Sequence, residues 1–305
     1  MTLQKEITSY LEYCRFRREL DEKTLKAYRI DLRQFQEACG DSFPARTEIE
    51  EYITGLHKQF KQKTVKRKIA SVKAFYNYLE EREEISETPF RRIKVKFKEA
   101  IILPRIIPRE EIECLLNYIY RCLAEAGKER ERLVLRDISV VEMLFATGAR
   151  VYEISNLRAD CVSLESGRVR IMGKGGKERY LQIAEPVVLE LLRKYYEANR
   201  KEIEKCGYFF VNRQGERFTE QSVRLMIRKY ARQAGIKMEI TPHMFRHSFA
   251  TYLIEEGVDV SCVQRILGHS SISTTQIYIH VAAKTQAEIL KNFHPRKKMK
   301  ILGAD

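Results

Sequence analysis

The chain has 305 residues, of which 44% are hydrophobic and 32% charged, and its formal net charge is +14. This length allows two domains with separate cores, and the composition is ordinary for a globular protein and excludes a disordered chain. So large a positive charge favours a polyanionic partner, such as nucleic acid or an acidic membrane face, although charge alone also fits a ribosomal or other basic housekeeping protein.

The cysteines and the apolar runs bear on where the protein works. Seven cysteines are scattered without a C-x-x-C pair, which predicts reduced thiols and neither a disulfide framework nor a zinc site. The N-terminus lacks the apolar stretch of a signal peptide, and no apolar run is long enough for a membrane span. We therefore expect a cytoplasmic protein without a membrane partner.

Residues 1–88 predict a small helical bundle. Four segments show helical patterns: residues 3–18, a segment capped by Thr24, a segment opened by Thr47 and Glu50 as a capping box, and residues 64–83.

The stretch from residue 52 to residue 79 contains seven Lys or Arg and no Asp or Glu. A run of charge is usually a solvated helix face. Because no acid is interleaved here, we favour a surface that faces DNA phosphates, with Lys66, Arg67 and Lys73 as candidate contacts.

Residues 89–107 predict a basic linker, since the segment "ETPFRRIKVKFKEAIILPRIIP" brings three prolines and an extended basic stretch. Arg91, Arg92 and Lys94 are its candidate DNA contacts. A basic linker between two basic domains suggests a clamp around a duplex.

Residues 108–305 predict a second domain, which is mainly α with a small β-sheet (α+β). Helices are expected over residues 108–125, 132–146, 186–205 and 219–234. The segment "RVRIMGKGGKERYLQI" predicts a hairpin, and "YFFV" at residue 208 predicts another short strand.

The segment "TPHMFRHSFATYL", residues 241–253, predicts a helix with Thr241 as its cap and Pro242 at its first position. His243 and Arg246 stand three residues apart on one side of its first turns. Cations are unfavourable at a helix N-terminus, so this placement indicates a bound anion, and the free N–H groups with a guanidinium could cradle a phosphate. A chance surface pair is the plain alternative.

A zinc hydrolase is the rival interpretation of this helix, because His243 and His247 have the i, i+4 spacing of metal ligands. Such motifs carry a Glu beside or between the histidines as general base. Met244 and Arg246 stand there instead, and an arginine would repel the metal. We therefore predict no metal.

Three further stretches carry candidate groups. In "ATGARVYEISNL", Arg150 lies near a helix N-terminus and Glu153 can hold it, or the two form a merely structural pair. In "GKGGKERY", which is not a P-loop, Lys174 is a cation at a hairpin turn. In "ILGHSSISTTQIYIH", His269 precedes Tyr278, which alone would count as one packing tyrosine among 16.

Together these stretches resemble the tyrosine recombinase (phage integrase) family, especially its Xer-like members. "ATGAR" resembles the first-arginine motif, "GKGGKER" the hairpin lysine, "HMFRHSFAT" the H-x-x-R-H box and "LGHSSISTTQIYIHV" the nucleophile segment. The N-terminal "TLKAYRIDLRQF" resembles the family's SAM-like core-binding domain. Ala149 stands where leucine is usual, and residues 118–135 are longer than in a typical Xer chain. Chromosome dimer resolution and mobile-element integration therefore both stay open.

The resemblance implies a reaction and a role for each residue of the site. Tyr278 would attack a scissile DNA phosphate to form a 3′-phosphotyrosyl link and free a 5′-hydroxyl. Arg150 and Arg246 would bind the non-bridging oxygens, His243 and His269 would complete the cradle, and Lys174 would protonate the leaving oxygen, with His243 as the other candidate acid. No metal or cofactor is needed for this chemistry.

The implied partner is double-stranded DNA, bound by a homotetramer or by a heterotetramer with a related recombinase on paired sites. The segment "AEILKNF" after Tyr278 carries Ile289, Leu290 and Phe293, which could dock in a neighbouring protomer. The alternatives are a type IB topoisomerase, which acts as a monomer, and a non-catalytic DNA-binding protein of the same fold.

Overall fold

A computed structural model describes residues 2–95, 97, 105–172 and 178–268. The chain divides into two compact units, Met1–Ala100 and Ile101–Asp305. Both are dominated by helices, and the second also contains a three-stranded sheet, which confirms the predicted fold class. Among the described helices none is both long and apolar enough to cross a membrane.

The first unit is a bundle of four helices, as predicted. They are α1 (Leu3–Phe16), α2 (Glu22–Cys39), α3 (Arg46–Gln59) and α4 (Gln62–Glu81). Apolar residues at helical spacing turn inward, and the fully buried aromatic rings of Tyr10, Phe35 and Phe75 fill the centre of the core.

The prediction that Thr24 caps α2 is wrong. The helix begins three residues earlier, because Asp21 is the N-cap and its Oδ1 accepts a hydrogen bond from the Thr24 backbone N–H at 3.0 Å. The Thr24 hydroxyl also donates to Asp21 Oδ2 at 2.9 Å. Thr24 therefore lies inside the first turn and supports the cap.

The capping box of Thr47 and Glu50 is also a wrong prediction. Helix α3 starts at Arg46, and its N-cap is Ala45. The backbone N–H of Ala45 donates to Glu48 Oε2 at 2.6 Å, so the reciprocal carboxylate half of a capping box is present one turn into the helix.

Part of the predicted linker packs on the first unit. Residues Pro89–Arg91 form a 3₁₀ helix, and Phe90 between them is buried in the core of the bundle. Ile93, Val95 and Phe97 pack on the same core.

In the second unit a central helix supports the elements that surround it. The helices are α5 (Arg109–Ala124), α6 (Lys128–Thr147), α7 (Val151–Ser155), α8 (Pro186–Ala198), α9 (Arg200–Cys206), α10 (Glu220–Gln233), α11 (Pro242–Glu255) and α12 (Val260–Leu267). Helix α6 packs against α5, α8 and α11. Its core-facing residues Ile138, Val141 and Leu144 are fully buried.

The predicted hairpin is confirmed. Strands β1 (Val162–Ser163), β2 (Arg168–Met172) and β3 (Glu178–Gln182) form an antiparallel sheet in the order β1-β2-β3. Arg168 pairs with Gln182 and Met172 with Glu178, so β2 and β3 lie on either side of residues 173–177 in the chain.

Two predicted elements of this unit differ in the structure. The helix expected over residues 186–205 is broken at Asn199, whose buried side-chain amide donates to the Tyr195 carbonyl at 3.0 Å. The strand expected at "YFFV" forms only isolated bridges, Arg158 with Tyr208 and Val211 with Arg217.

Helix α11 is anchored at both of its faces. Phe245 lies in the main core, while Phe249 and Leu253 pack against α12 in a smaller cluster. The Ile107 backbone N–H donates to Ser248 Oγ at 2.8 Å, and the Tyr252 hydroxyl donates to the Ile107 carbonyl. The second and third turns of α11 are thereby tied to the chain at Ile107.

Candidate active site

Arg150 lies where α6 ends and α7 begins, as the sequence predicts. Gly148 ends α6 with a φ of 60°, and a Cβ there would come within 2.5 Å of Phe249 and 2.8 Å of Leu267. Glycine is therefore required both by the left-handed backbone and by the close packing. Arg150 is the N-cap residue of α7, and its side chain is 38% exposed.

Glu153 holds Arg150 through two contacts, as the sequence predicts. Its Oε2 accepts from the Arg150 backbone N–H at 2.7 Å, and its Oε1 accepts from Arg150 Nη1 at 3.0 Å. The backbone contact ties the carboxylate to the helix start, and the side-chain contact orients the guanidinium.

Arg179 is a residue of the site that the sequence reasoning missed. Its Nη1 and Nη2 donate to the two oxygens of Glu153, each at 2.8 Å, so the pair is bidentate. Burial by itself raises the pKa of Glu153, but the hydrogen bonds from Arg179 and from the Arg150 backbone outweigh it and lower that pKa below its usual value. Glu153 is therefore ionised between two arginines.

Arg246 is buried in the first turns of α11, with 5% of the residue exposed. Its Nη1 donates to the Gly148 carbonyl at 2.8 Å, and its Nη2 donates to the Leu267 carbonyl at 2.7 Å. Gly148 stands two residues before Arg150, so the turn between α6 and α7 carries one arginine and is bound by the other.

His243 lies among these cations. Partial burial lowers its pKa, and the charges of Arg224, Arg246 and Arg150 lower it further. The imidazole is therefore neutral at neutral pH and can both donate and accept a hydrogen bond. Arg224, on α10, donates to Glu220 at 2.8 Å and is a further cation of this region that the sequence reasoning missed.

His247 does not form a metal site with His243 in the described part of the chain. No group of three or more His, Cys, Asp or Glu side chains is arranged to hold an ion there. Burial, and then the neighbouring His243 and Arg246, lower the pKa of His247.

Three predicted site residues lie outside the described residues: Lys174, His269 and Tyr278. Described elements adjoin two of these residues in the chain. Strands β2 and β3 flank the segment that contains Lys174, and Gly268, with a φ of 64°, ends α12 directly before His269.

The six predicted DNA contacts of the first unit are all exposed: Lys66, Arg67, Lys73, Arg91, Arg92 and Lys94. The three arginines also form ion pairs, Arg67 with Asp31, Arg91 with Glu80 at 2.9 Å and Arg92 with Glu87 at 3.2 Å.

The prediction that residues 52–79 form a phosphate-facing surface is wrong for Lys68. Only 2% of it is exposed, and its Nζ donates to the buried Asp31 at 3.1 Å. This lysine neutralises a carboxylate inside the bundle, so it cannot contact DNA.

Two family profiles and several named proteins match this chain. The sequence profile of the phage integrase family matches residues 106–285, and that of the phage integrase N-terminal SAM-like domain matches residues 7–83. A tyrosine recombinase of Agathobacter rectalis is 48% identical over 97% of this chain and 98% of that protein. The tyrosine recombinase XerD of Listeria monocytogenes is 35% identical over 95% of this chain and 98% of that protein.

A solved structure shares the fold. The XerH site-specific recombinase bound to palindromic difH substrate, in a post-cleavage complex, aligns with a TM-score of 0.74 at 23% identity. The alignment covers 94% of this chain and 84% of that one.

Proposed function

The chain belongs to the phage integrase family of tyrosine recombinases, and from that membership we propose that it breaks and rejoins DNA at specific sites through a covalent 3′-phosphotyrosyl intermediate. The observation that carries this proposal is the convergence of Arg150 and Arg246 on the turn between α6 and α7 beside a neutral His243. The named relatives support site-specific recombination, and they lend no support to a topoisomerase or a non-catalytic DNA-binding protein.

The reaction begins with attack of the Tyr278 hydroxyl oxygen on the scissile phosphorus. The Tyr278 O–P bond forms as the hydroxyl proton passes to the neutral His243 or to water, and the bond from phosphorus to the 5′-oxygen breaks. That oxygen takes up a proton from Lys174 or His243, so one proton is released and one is taken up. Attack of a 5′-hydroxyl from another strand on the phosphotyrosine reverses these steps and rejoins the DNA. The phosphotyrosyl ester retains the energy of the broken phosphodiester bond, so rejoining the DNA requires no ATP.

The cations of the site match the charge of the pentacoordinate transition state. Its non-bridging oxygens carry negative charge, and Arg150 and Arg246 supply N–H donors that are already fixed before DNA binds. His243 and His269 add hydrogen bonds to the same oxygens. The anion indicated by the cationic start of α11 is thus a DNA phosphate.

Covalent capture tests the proposed function. A pool of duplexes with randomised arms carries a nick that lets a short 5′-hydroxyl fragment diffuse away after cleavage, so that the adduct accumulates. We expect the protein, in the presence of EDTA, to form an adduct that survives denaturing electrophoresis and to enrich one sequence, called here the selected duplex. A protein that binds this pool but never forms an adduct would contradict the proposal.

We assign DNA binding to residues 1–88 and to the linker 89–107 as well as to the catalytic region 108–305. The exposed Lys66 and Lys73 of α4 stand seven residues apart, which places them on one face of the helix. This face would contact phosphates and contribute to affinity for any sequence.

Replacing Lys66 and Lys73 together by alanine is expected to weaken binding to every duplex and to reduce the salt dependence of log K by roughly one to two units, because each neutralised phosphate releases counterions. Fluorescence anisotropy over a series of salt concentrations measures the slope. The matched control replaces Lys5 and Lys26, two exposed lysines on α1 and α2. If the slope is unchanged, this face is not part of the DNA interface.

We further propose that the protein acts in the cytoplasm, as a homotetramer or as a heterotetramer with a related recombinase, on paired sites. The apolar residues Ile289, Leu290 and Phe293 recur at helical spacing after the nucleophile and suit docking in a neighbouring protomer.

Truncation after Ala283 is expected to reduce synapsis and recombination more than binding to a single site, because it removes that docking segment and leaves the groups of the site in place. Gel-shift assays with one and two copies of the selected duplex separate the two effects. If the truncated protein pairs and recombines the sites normally, the segment does not join protomers.

A further inference from the structure

Arg179, at the start of β3, joins three elements of the catalytic region. Its two terminal nitrogens bind Glu153 on α7, and its Nε donates to the Ile266 carbonyl at the end of α12 at 3.3 Å. The side chain is only 14% exposed. A Cβ at Gly268 would come within 3.0 Å of the Arg179 Cδ, so the chain packs closely over this arginine.

The contacts of Arg179 and Arg246 meet at the end of α12. Arg179 binds the Ile266 carbonyl, and Arg246 binds the next one, that of Leu267. Since Arg246 also binds the Gly148 carbonyl, the contacts close a ring from Arg150 through Glu153, Arg179, the end of α12 and Arg246 back to the turn that precedes Arg150.

The charges within this ring indicate what Arg179 contributes. Arg150, Glu153 and Arg179 together carry a net charge of +1, whereas Arg150 and Glu153 alone would carry none. Glu153 without its bidentate partner would also draw the Arg150 guanidinium towards itself. A lysine cannot replace the arginine, because an ammonium cannot bind both carboxylate oxygens in a fork and the carbonyl together.

We propose that Arg179 is a positioning residue for the cleavage reaction. Through Glu153 it sets the orientation of Arg150 and leaves the cluster of Arg150, Glu153 and Arg179 with a net positive charge for the scissile phosphate. Through Ile266 it holds the last turn of α12, from which the chain continues to His269 and Tyr278. This inference rests on the proposed function, since it assigns Arg179 a place in that reaction.

The test compares Arg179→Gln with wild type on the selected duplex. Affinity is measured by anisotropy and adduct formation by single-turnover kinetics. We expect nearly unchanged affinity and cleavage that is slower by roughly 10- to 10²-fold, since a small misplacement of a positioned group has effects of that size. The matched control is Arg168→Gln on β2, which removes the same charge from the same sheet and is expected to cleave at the wild-type rate.

A second substrate separates positioning from general damage to the fold. In a methylphosphonate duplex a methyl group replaces one non-bridging oxygen of the scissile phosphate, so its charge is removed and Arg150 matters less. The deficit of Arg179→Gln relative to wild type is expected to shrink on this substrate, as for Arg150→Ala. The proposal would be overturned if Arg179→Gln cleaved the ordinary duplex at the wild-type rate. It would also be overturned if the variant were slower than wild type by the same factor on both substrates.

The same experiment keeps the two proposals apart. If wild type forms no adduct at all, the proposed function fails irrespective of Arg179. If wild type forms the adduct and the variant behaves like it, only the role of Arg179 fails. Should Arg179→Gln be unfolded, Arg179→Lys replaces it in both arms with the same expected pattern, because it keeps the charge but loses the fork.

Discussion

Arg246→Ala is expected to slow formation of the covalent adduct by roughly 10³-fold or more, the scale of losing a positioned cation or oxyanion donor in phosphoryl transfer. Arg246 is buried, and the carbonyls of Gly148 and Leu267 fix its guanidinium before DNA binds. Its contribution is therefore preorganised. Single-turnover cleavage of the selected duplex measures the loss.

The controls for Arg246 address folding and charge. Removal of the guanidinium also takes a donor from two carbonyls, so thermal unfolding and DNA affinity are measured alongside cleavage. Arg246→Lys retains the charge and is expected to cleave slowly as well, because one ammonium cannot reproduce the fork. Arg200→Ala removes an exposed arginine of α9 and is expected to cleave normally. A folded, DNA-binding Arg246→Ala protein with wild-type cleavage would remove Arg246 from the site.

Lys174→Ala is expected to slow cleavage by roughly 10² to 10⁴-fold if Lys174 is the general acid, the usual contribution of a positioned proton donor. Loss of a phosphate-binding cation could produce a similar decrease. The discriminating substrate carries sulfur at the bridging 5′ position, because a thiolate leaves readily without protonation. We expect this duplex to restore Lys174→Ala to near the wild-type rate and to leave Arg150→Ala and Arg246→Ala slow.

Failure of the sulfur substrate to rescue Lys174→Ala would make Lys174 a phosphate contact and His243 the next candidate acid. The pH profile then gives a second readout. A histidine acid must be protonated, and the pKa of His243 is lowered by burial and by its arginine neighbours. Cleavage would therefore decline as pH rises through a value below that of an ordinary histidine, whereas a lysine acid keeps its proton over the same range.

The sequence predicts the local parts of the site well, because local chemistry determines them. The glycine at position 148 breaks α6, so Arg150 is placed at the next helix start. Glu153 follows three residues later, at the spacing where a carboxylate binds back to that start. The position of Pro242 likewise indicates where α11 begins.

The long-range contacts could not be predicted, because residues far apart in the sequence show no regular spacing that would indicate a contact between them. Arg179 lies 26 residues from Glu153 and 87 residues from Ile266 along the chain. Its only local signal is alternation on β3, where Arg179 stands on the same strand face as the buried Leu181. The burial of Lys68 depends in the same way on Asp31, a carboxylate on another helix.

The sequence is a weaker guide to where a helix starts when several residues can serve as its cap. Asp21 and Thr24 are both good caps by type, and the structure uses the first, with the hydroxyl of the second as its partner. At α3 an alanine occupies the cap position, so the type of residue gives no signal there.

The proposed reaction is tested most directly by identifying the residue that carries the DNA. The adduct formed by wild type on the selected duplex is digested with protease and nuclease, and the nucleotide-linked peptide is sequenced by mass spectrometry, while the released strand is tested for a free 5′-hydroxyl by kinase labelling. We expect a 3′-linked nucleotide on Tyr278, a labelled 5′ end and no adduct from Tyr278→Phe. An adduct on any other residue, or one that persists in Tyr278→Phe, would contradict the proposed reaction.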